Sequence, residues 1–248
     1  MSDPSARPAS PHSLRGLHSR VLDALGTAIC AGTLAPGSTL TLQEIEERYE
    51  ISRSVARETI RVLESMRLVV SRRRVGVVVL PPEEWNLFDP QVIRWRMASP
   101  DAAEQTASLV ELRIAVEPEA ARLAAQRASS AQIAELVAIA GQMWAASEDE
   151  DRERFLELDV SFHSLILAAS KNLMFGRLES LVSEILTGWL AHGLGPDHPQ
   201  PGALHLHAEA AAAIQRRDPE ASFRAMRDLL VQSAEESATG EDSSASRW

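Results

Sequence analysis

The residues best suited to chemistry in the first third of the chain are two arginines and two serines between positions 52 and 57. Ser52 precedes a predicted helix, and Arg53 and Arg57 lie four residues apart on one face of it. An arginine guanidinium can pair bidentately with O6 and N7 of guanine, which discriminates between bases by roughly 1–3 kcal/mol. The hydroxyls of Ser52 and Ser54, with the amides at the helix start, suit phosphates. This segment therefore predicts a helix that enters the DNA major groove.

A second basic group follows the helix. Arg72, Arg73 and Arg74 interrupt a run of β-branched residues, and Gly76 permits the backbone of a hairpin there. Such a hairpin, the wing, places its arginines within reach of phosphates or of the minor groove. A single surface arginine is usually only solvated, but five arginines at the helix start and the wing tip favour DNA recognition.

A different chemistry is indicated near the middle of the chain. Asp159 and His163 are spaced i and i+4 on a predicted helix and project from one face. A carboxylate beside an imidazole suits a divalent transition metal. Polar packing in a helical core is the alternative interpretation.

The elements that must position these residues follow from hydrophobic spacing. Residues 14–29 repeat apolar side chains at helical intervals, 33–38 form a turn, and two further helices span about 42–49 and 53–66. The β-branched run 68–80 predicts two strands. Beyond residue 100 every segment is helical, and six helices are predicted at roughly 104–127, 131–147, 151–170, 173–191, 203–217 and 219–236. Pro118 should kink or break the first of these.

We therefore predict a mainly α protein with an N-terminal winged helix-turn-helix and a C-terminal all-helical bundle. The expected layout is a disordered arm over 1–11, the winged helix over 12–80, a linker over 81–100, the helical domain over 101–236 and a disordered tail over 237–248. Trp85 and Trp95 are expected to pack the linker onto a domain.

The distribution of charge along the chain supports the division into these two domains. The whole chain of 248 residues carries a net charge of −10, but residues 12–80 hold ten arginines and seven acids, whereas 101–236 hold eleven basic and twenty-two acidic residues. The first third is thus the basic part. The one cysteine, Cys30, cannot form a disulfide within the chain and fits a reducing cytoplasm. No apolar run reaches the roughly 18–20 residues of a membrane span.

The helix-turn-helix residues resemble the GntR family of bacterial regulators. The resemblance rests on Ile51 to Glu58, which read ISRSVARE, and on Leu63-Glu64, Leu68-Val69 and the wing. In some relatives an arginine on the preceding helix also reads DNA, and the matching position here is Gln43. Glutamine at this position implies either the loss of that contact or a different base preference.

The helical part resembles the FCD branch of the same family, on Glu111 to Arg113, Asp159, Phe162-His163, Asn172 and His207. The resemblance implies an effector domain with a metal held by Asp159, His163, His207 and a fourth ligand, which is a third histidine. That fourth position is Leu229, so the expected site for Zn²⁺ or a similar ion is incomplete, although three ligands can still hold a metal.

The same resemblance implies that Arg113 lines the effector cavity. Arginine binds carboxylates bidentately, and the alternative is a surface salt bridge with Glu117. Asn172 could add a polar contact or serve only as a turn residue. The segment from Trp85 to Trp95 resembles regulators that respond to sugar acids of the galactonate kind.

Together these features predict a homodimeric repressor that binds a palindromic DNA operator and a small carboxylate or sugar-acid effector, with no membrane association. Two alternatives stay open at this point. One is a metal-dependent enzyme built on Asp159, His163 and His207, for which no nucleophile–base pair is evident. The other is a helical interaction module with a vestigial DNA-binding head.

Overall fold

A computed structural model describes residues 11–191 and 201–245 of the chain. The predicted arm, apart from Pro11, and most of the predicted loop 193–202 lie outside the described residues. The chain divides into two compact units, with the boundary between Ala102 and Ala103. The prediction of a mainly α fold with a winged helix and a helical bundle is confirmed.

The first unit is built from three helices, a three-stranded antiparallel sheet and a further short helix. Its elements are α1 (Pro11–Cys30), β1 (Thr39–Leu40), α2 (Leu42–Tyr49), α3 (Arg53–Ser65), β2 (Val69–Arg72), β3 (Gly76–Val79) and α4 (Pro90–Met97). The strand order is β1-β3-β2, and β2 and β3 pair from Val69 opposite Val79 to Arg72 opposite Gly76. The strand β1 was not predicted, because two residues show no alternation.

Local capping explains where the two central helices begin and end. Thr41 and Glu44 form a capping box at the start of α2, in which each side chain bonds the backbone of the other. Glu50 ends α2 with a left-handed φ of 50°, and Ser52 then caps α3. The three-residue connection between these helices is thus determined by the local sequence.

The predicted linker, 81–100, is folded. Its helix α4 begins after the cap Asp89, and the indole Nε1 of Trp95 donates to Oδ1 of Asp23 on α1 at 3.2 Å. Gly26 on α1 makes room for that ring, because a Cβ there would overlap the indole. Trp85 donates to the carbonyl of Leu80 at 2.8 Å. The segment belongs to the first unit because its apolar face is buried there.

The second unit is entirely helical in the part that the structure describes. Its helices are α5 (Ala102–Arg127), α6 (Ser130–Glu148), α7 (Arg152–Ala169), α8 (Leu173–Gly176), α9 (Glu179–Ala191), α10 (Pro201–Gln215) and α11 (Pro219–Ala245). Helix α10 packs against α6 and α11, and α7 packs against α6 and α9. Among the described residues no helix is long and apolar enough to cross a membrane.

Three local details differ from the sequence predictions. The helix predicted over 173–191 is divided into α8 and α9. Of the two outcomes predicted at Pro118, the break does not occur, because α5 continues through this buried proline. The predicted disordered tail, 237–248, begins as a continuation of α11 to Ala245.

Candidate DNA interface and effector site

The recognition helix α3 presents its predicted DNA-binding residues to solvent. Ser52 Oγ accepts from the amide of Val55 at 3.4 Å and shares a hydrogen bond of 2.9 Å with Ser54 Oγ. The cap orients the first turn, and the side chains of Arg53 and Arg57 are exposed. On binding, a phosphate can compete for these two hydroxyls.

A surface hollow collects residues from α2, α3 and the wing. It is lined by five of the predicted DNA-binding residues, Gln43, Arg53, Arg57, Arg72 and Gly76, together with Thr41, Leu42, Ile60, Arg61, Glu64, Ser71 and Val77. Arg73 and Arg74 lie exposed in the turn between β2 and β3. Ser52 and Ser54 lie at the start of α3 and do not line the hollow.

Gly76 is required for a reason that the sequence did not show. Its φ of +112° is one that side-chain-bearing residues rarely adopt, and a Cβ would lie 2.7 Å from the carbonyl oxygen of Leu40. The wing therefore packs closely against β1 only because this residue is glycine.

Two neighbours in the hollow were missed from the sequence. Arg61 continues the series of Arg53 and Arg57 at intervals of four, so spacing alone would have found it. Glu64 was singled out only as part of the family resemblance and without a role, since its role depends on a contact with the wing. Gln43 has its own partner, because its amide nitrogen donates to Glu47 at 2.9 Å.

In the second unit, Asp159, His163 and His207 come together as predicted from the resemblance. His207 Nε2 lies 2.9 Å from Asp159 Oδ1, and His163 Nε2 lies 3.4 Å from the same oxygen. The two histidines are almost fully buried and both rings pack edge-on against Phe162. Leu229 is part of the apolar core at 1 % exposure.

Each imidazole is oriented by a partner on its other nitrogen. His207 Nδ1 lies 2.7 Å from the carbonyl oxygen of Ala203, and His163 Nδ1 is hydrogen-bonded to Glu117 Oε2 on α5. Such outer partners fix the orientation of metal-binding histidines in proteins. Here they direct both Nε2 atoms toward Asp159.

Burial and mutual charge shift the titration of this cluster. Burial opposes ionisation of Asp159, but hydrogen bonds from His163 and His207 hold its pKa well below the usual range. Burial likewise opposes the charged form of His163, yet the carboxylates of Glu117 and Asp159 raise its pKa to about 8. Burial also opposes ionisation of Glu117, but the charges of Arg113 and His163 lower its pKa to about 2.

The cluster fits a divalent metal. Two imidazole nitrogens and one carboxylate oxygen, all within 4.8 Å of one another, form a donor set suited to Zn²⁺ or a similar ion. The histidine nitrogen facing the ion must be deprotonated for binding, so metal and proton compete at His163.

Arg113 is not on the surface. Its Nε donates to Glu117 Oε1 at 2.5 Å, with side-chain exposures of 3 % and 1 %, so the predicted alternative of a surface salt bridge is wrong in that respect: the pair is buried. Glu117 thereby joins Arg113 to His163. Neither the burial nor the bridge follows from the spacing of the two residues.

The cavity that the described residues form beside Arg113 is small. Residues of α5, α7 and the α8–α9 region enclose a volume of about 10 Å³, which is room for one water molecule at most. Asn172 is not among its lining residues. Its Oδ1 instead accepts from the amide of Met174 at 3.0 Å and caps α8, as the turn alternative predicted.

Comparison with known families follows this division of the chain. Residues 17–79 match the bacterial regulatory proteins of the gntR family, and residues 108–232 match the FCD domain. The chain belongs to the GntR family. It is a DNA-binding transcription regulator of the FCD type and not an enzyme, so the hypothesis of a metal-dependent enzyme is set aside.

Similar proteins and a solved structure agree with this family assignment. The chain is 30 % identical over 216 residues to the galactonate operon transcriptional repressor of Escherichia coli K12, covering 86 % of this chain and 93 % of that one. It is 27 % identical to the transcriptional repressor RspR of the same organism, over 82 % and 80 % of the two chains. A GntR structure from Streptococcus agalactiae has a TM-score of 0.50 at 24 % identity, and the match covers 86 % of this chain and 97 % of that one. It supports the fold.

Proposed function

We propose that this regulator is a homodimeric repressor that works in the cytoplasm and reads a palindromic operator with one winged helix per subunit. The observation that carries the proposal is the hollow in which Gln43, Arg53, Arg57 and Arg72 face one open space. A two-fold dimer presents two such surfaces to two half-sites, so operator symmetry matches protein symmetry.

Within each half-site the residues divide by chemistry. Arg53 and Arg57 suit guanine, and Ser52 and Ser54 suit the phosphates at the helix start. Gln43 donates one amide N–H to Glu47, which leaves its second N–H and its amide oxygen for a base, and this pair of groups suits adenine. The wing residues Arg72, Arg73 and Arg74 contact phosphates or the minor groove, and Gly76 shapes the wing.

The proposed effector is a sugar acid or a related small carboxylate. The similarity to the galactonate operon repressor and the buried guanidinium of Arg113 support this class. Among the described residues, the cavity beside Arg113 is far smaller than the roughly 300 Å³ of a small-molecule pocket, so an effector that reaches Arg113 through this cavity requires the helices lining it to separate. An effector that binds only the opened form shifts the protein toward that form, which is the requirement for a ligand-controlled regulator.

Asp159, His163 and His207 are the residues proposed to hold a divalent metal. When bound, the ion supplies positive charge that attracts the effector carboxylate. The chain itself orients the two imidazoles through Ala203 and Glu117 and keeps the site among apolar side chains.

The DNA part is tested by selecting operator sites from a random duplex library and measuring Kd against KCl concentration. The double variant Arg53→Ala, Arg57→Ala should weaken binding to the selected site by at least about tenfold and flatten the salt dependence. Arg227→Ala removes another exposed arginine, from the second unit, and serves as the control. Unchanged affinity of the double variant would contradict the proposed interface.

The effector part is tested by thermal unfolding with galactonate and other sugar acids, with and without a chelator. A ligand that binds the folded form raises Tm. A shift that disappears with chelator supports binding through the metal cluster, and a shift that persists but is lost in Arg113→Met supports direct binding. The sugar-acid proposal fails if no sugar acid shifts Tm at millimolar concentration.

A further inference from the structure

One acidic residue lies among the arginines of the candidate DNA interface. Glu64, in the last turn of α3, lines the same hollow as Arg53, Arg57 and Arg72. Its Oε1 accepts a hydrogen bond of 2.6 Å from the backbone amide of Ser71 in β2. The side chain therefore joins the recognition helix to the wing.

The amide of Ser71 is available because of its place in the sheet. Strand β2 is an edge strand, paired only with β3. The amide of Leu80 donates to the carbonyl of Leu68, so the backbone groups of residue 68 face β3. Backbone groups alternate in direction along an antiparallel strand, so those of residues 70 and 72 also face β3. The backbone groups of Ser71 therefore face the open edge of the sheet. Glu64 satisfies this outward amide.

The bond is made where the wing leaves the core. Val69 at the base of β2 is buried, whereas Ser71 and the three arginines after it are exposed. On the partner strand, Val77 opposite Ser71 is buried and pairs with Leu40, so packing holds β3 and the base of β2 but not the outer half of β2. The Glu64 contact is placed at the boundary between the two.

Charge alone gives no reason for an acid at this position. A carboxylate in a hollow that faces phosphates opposes DNA binding, and its removal would be expected to strengthen that binding. A positioning role predicts the opposite, because loss of the bond would let the wing arginines move relative to the recognition helix.

We propose that Glu64 is a positioning residue for operator recognition, which fixes the wing against α3 so that both engage one register of the duplex. The proposal rests on the DNA interface proposed above. It assigns to Glu64 a geometric effect that outweighs its unfavourable charge.

The test compares Glu64→Gln with Glu64→Ala in the full-length protein. Both variants lose the negative charge, but only glutamine keeps an oxygen acceptor for Ser71. We expect Glu64→Gln to bind the selected operator within about twofold of the unaltered protein or more tightly. Glu64→Ala should bind about tenfold more weakly, the effect of one hydrogen bond with a charged partner.

Glu58→Ala is the control for charge, because Glu58 is exposed on the same helix and its hydrogen bond is to Arg61. It should bind no more weakly than the unaltered protein. Hydrogen exchange of the peptide covering residues 68–75 gives a readout without DNA: exchange should accelerate in Glu64→Ala and not in Glu64→Gln. Binding is measured well below Tm, with the active fraction determined by titration.

Equal operator affinities of Glu64→Gln and Glu64→Ala would overturn the proposal, as would equal exchange rates of the wing peptide. This failure is distinct from failure of the DNA interface itself. If the arginine double variant loses affinity while the two Glu64 variants match, only the role of Glu64 is wrong. If the arginine variant binds normally, the interface is wrong.

Discussion

The buried ion pair between Arg113 and Glu117 leads to a prediction about stability that can be worked out from the structure. Glu117→Gln removes the carboxylate charge while keeping an oxygen that can accept from His163. The guanidinium of Arg113, 3 % exposed, then stays in the core without the negative charge 2.5 Å away. Removing one member of a buried ion pair typically costs about 3–5 kcal/mol.

The double variant Arg113→Met, Glu117→Gln should behave differently. It removes both charges and fills the space of the arginine with an apolar side chain of similar length. Replacing a whole buried pair is often neutral or stabilising, so the double variant should be clearly more stable than Glu117→Gln alone. The double-mutant cycle should therefore give a coupling energy of at least about 2 kcal/mol.

Urea unfolding of the full-length chain, followed by far-UV circular dichroism, measures these differences. At a slope of about 2 kcal/mol per molar urea, Glu117→Gln should lower the midpoint of the second unit by about 2 M. Because two units need not unfold in one transition, labelling of Cys30 follows the first unit separately. Its midpoint serves as the control and is expected to stay unchanged.

Two results would refute the reasoning. A loss below about 1 kcal/mol in Glu117→Gln would show that the carboxylate charge does not compensate Arg113 in the core. A double variant as unstable as the sum of the two single variants would show that the two side chains act independently.

Three further predictions concern packing, reactivity and metal affinity. Gly26→Ala should destabilise the first unit by about 1–3 kcal/mol in urea denaturation, because the new methyl overlaps the Trp95 ring. Gly16→Ala is the control: its Cβ has no atom within 4 Å, so it should be neutral or stabilising in the same assay. Cys30 should react slowly with Ellman's reagent at pH 8 until the unit unfolds, because the thiol is buried and burial raises its pKa to about 12. Stoichiometric labelling within seconds would contradict this. Leu229→His, which restores the fourth ligand that the family resemblance implies, should tighten Zn²⁺ binding at least about tenfold in a chelator competition, and an unchanged affinity would argue against that assignment.

Much of the DNA-binding half could be predicted from the sequence because its signals are local. Ser52 as a cap, the interval between Arg53 and Arg57, and the β-branched run around the wing each depend on residues within a few positions of one another. The observed α2 and α3 accordingly begin and end within one residue of the predicted limits. The family resemblance on the same residues is confirmed as well.

The folded state of the segment 81–100 could not be predicted in the same way. Its polar and proline-rich ends are typical of a linker, and only the room left by Gly26 shows where Trp95 packs. The strand β1 is similar, since its two residues become a strand only when β3 pairs with them. Both depend on contacts between distant parts of the chain.

By itself, the sequence determined the fold class, the family and the residue types of both candidate sites, since these follow from local spacing and short motifs. The tertiary structure decided what those residues touch. Glu117 lies 46 positions before His163 yet orients its ring, and it holds Arg113 in a buried ion pair. Such contacts depend on how helices cross and which side chains fill the space between them, and no interval along the chain contains that information.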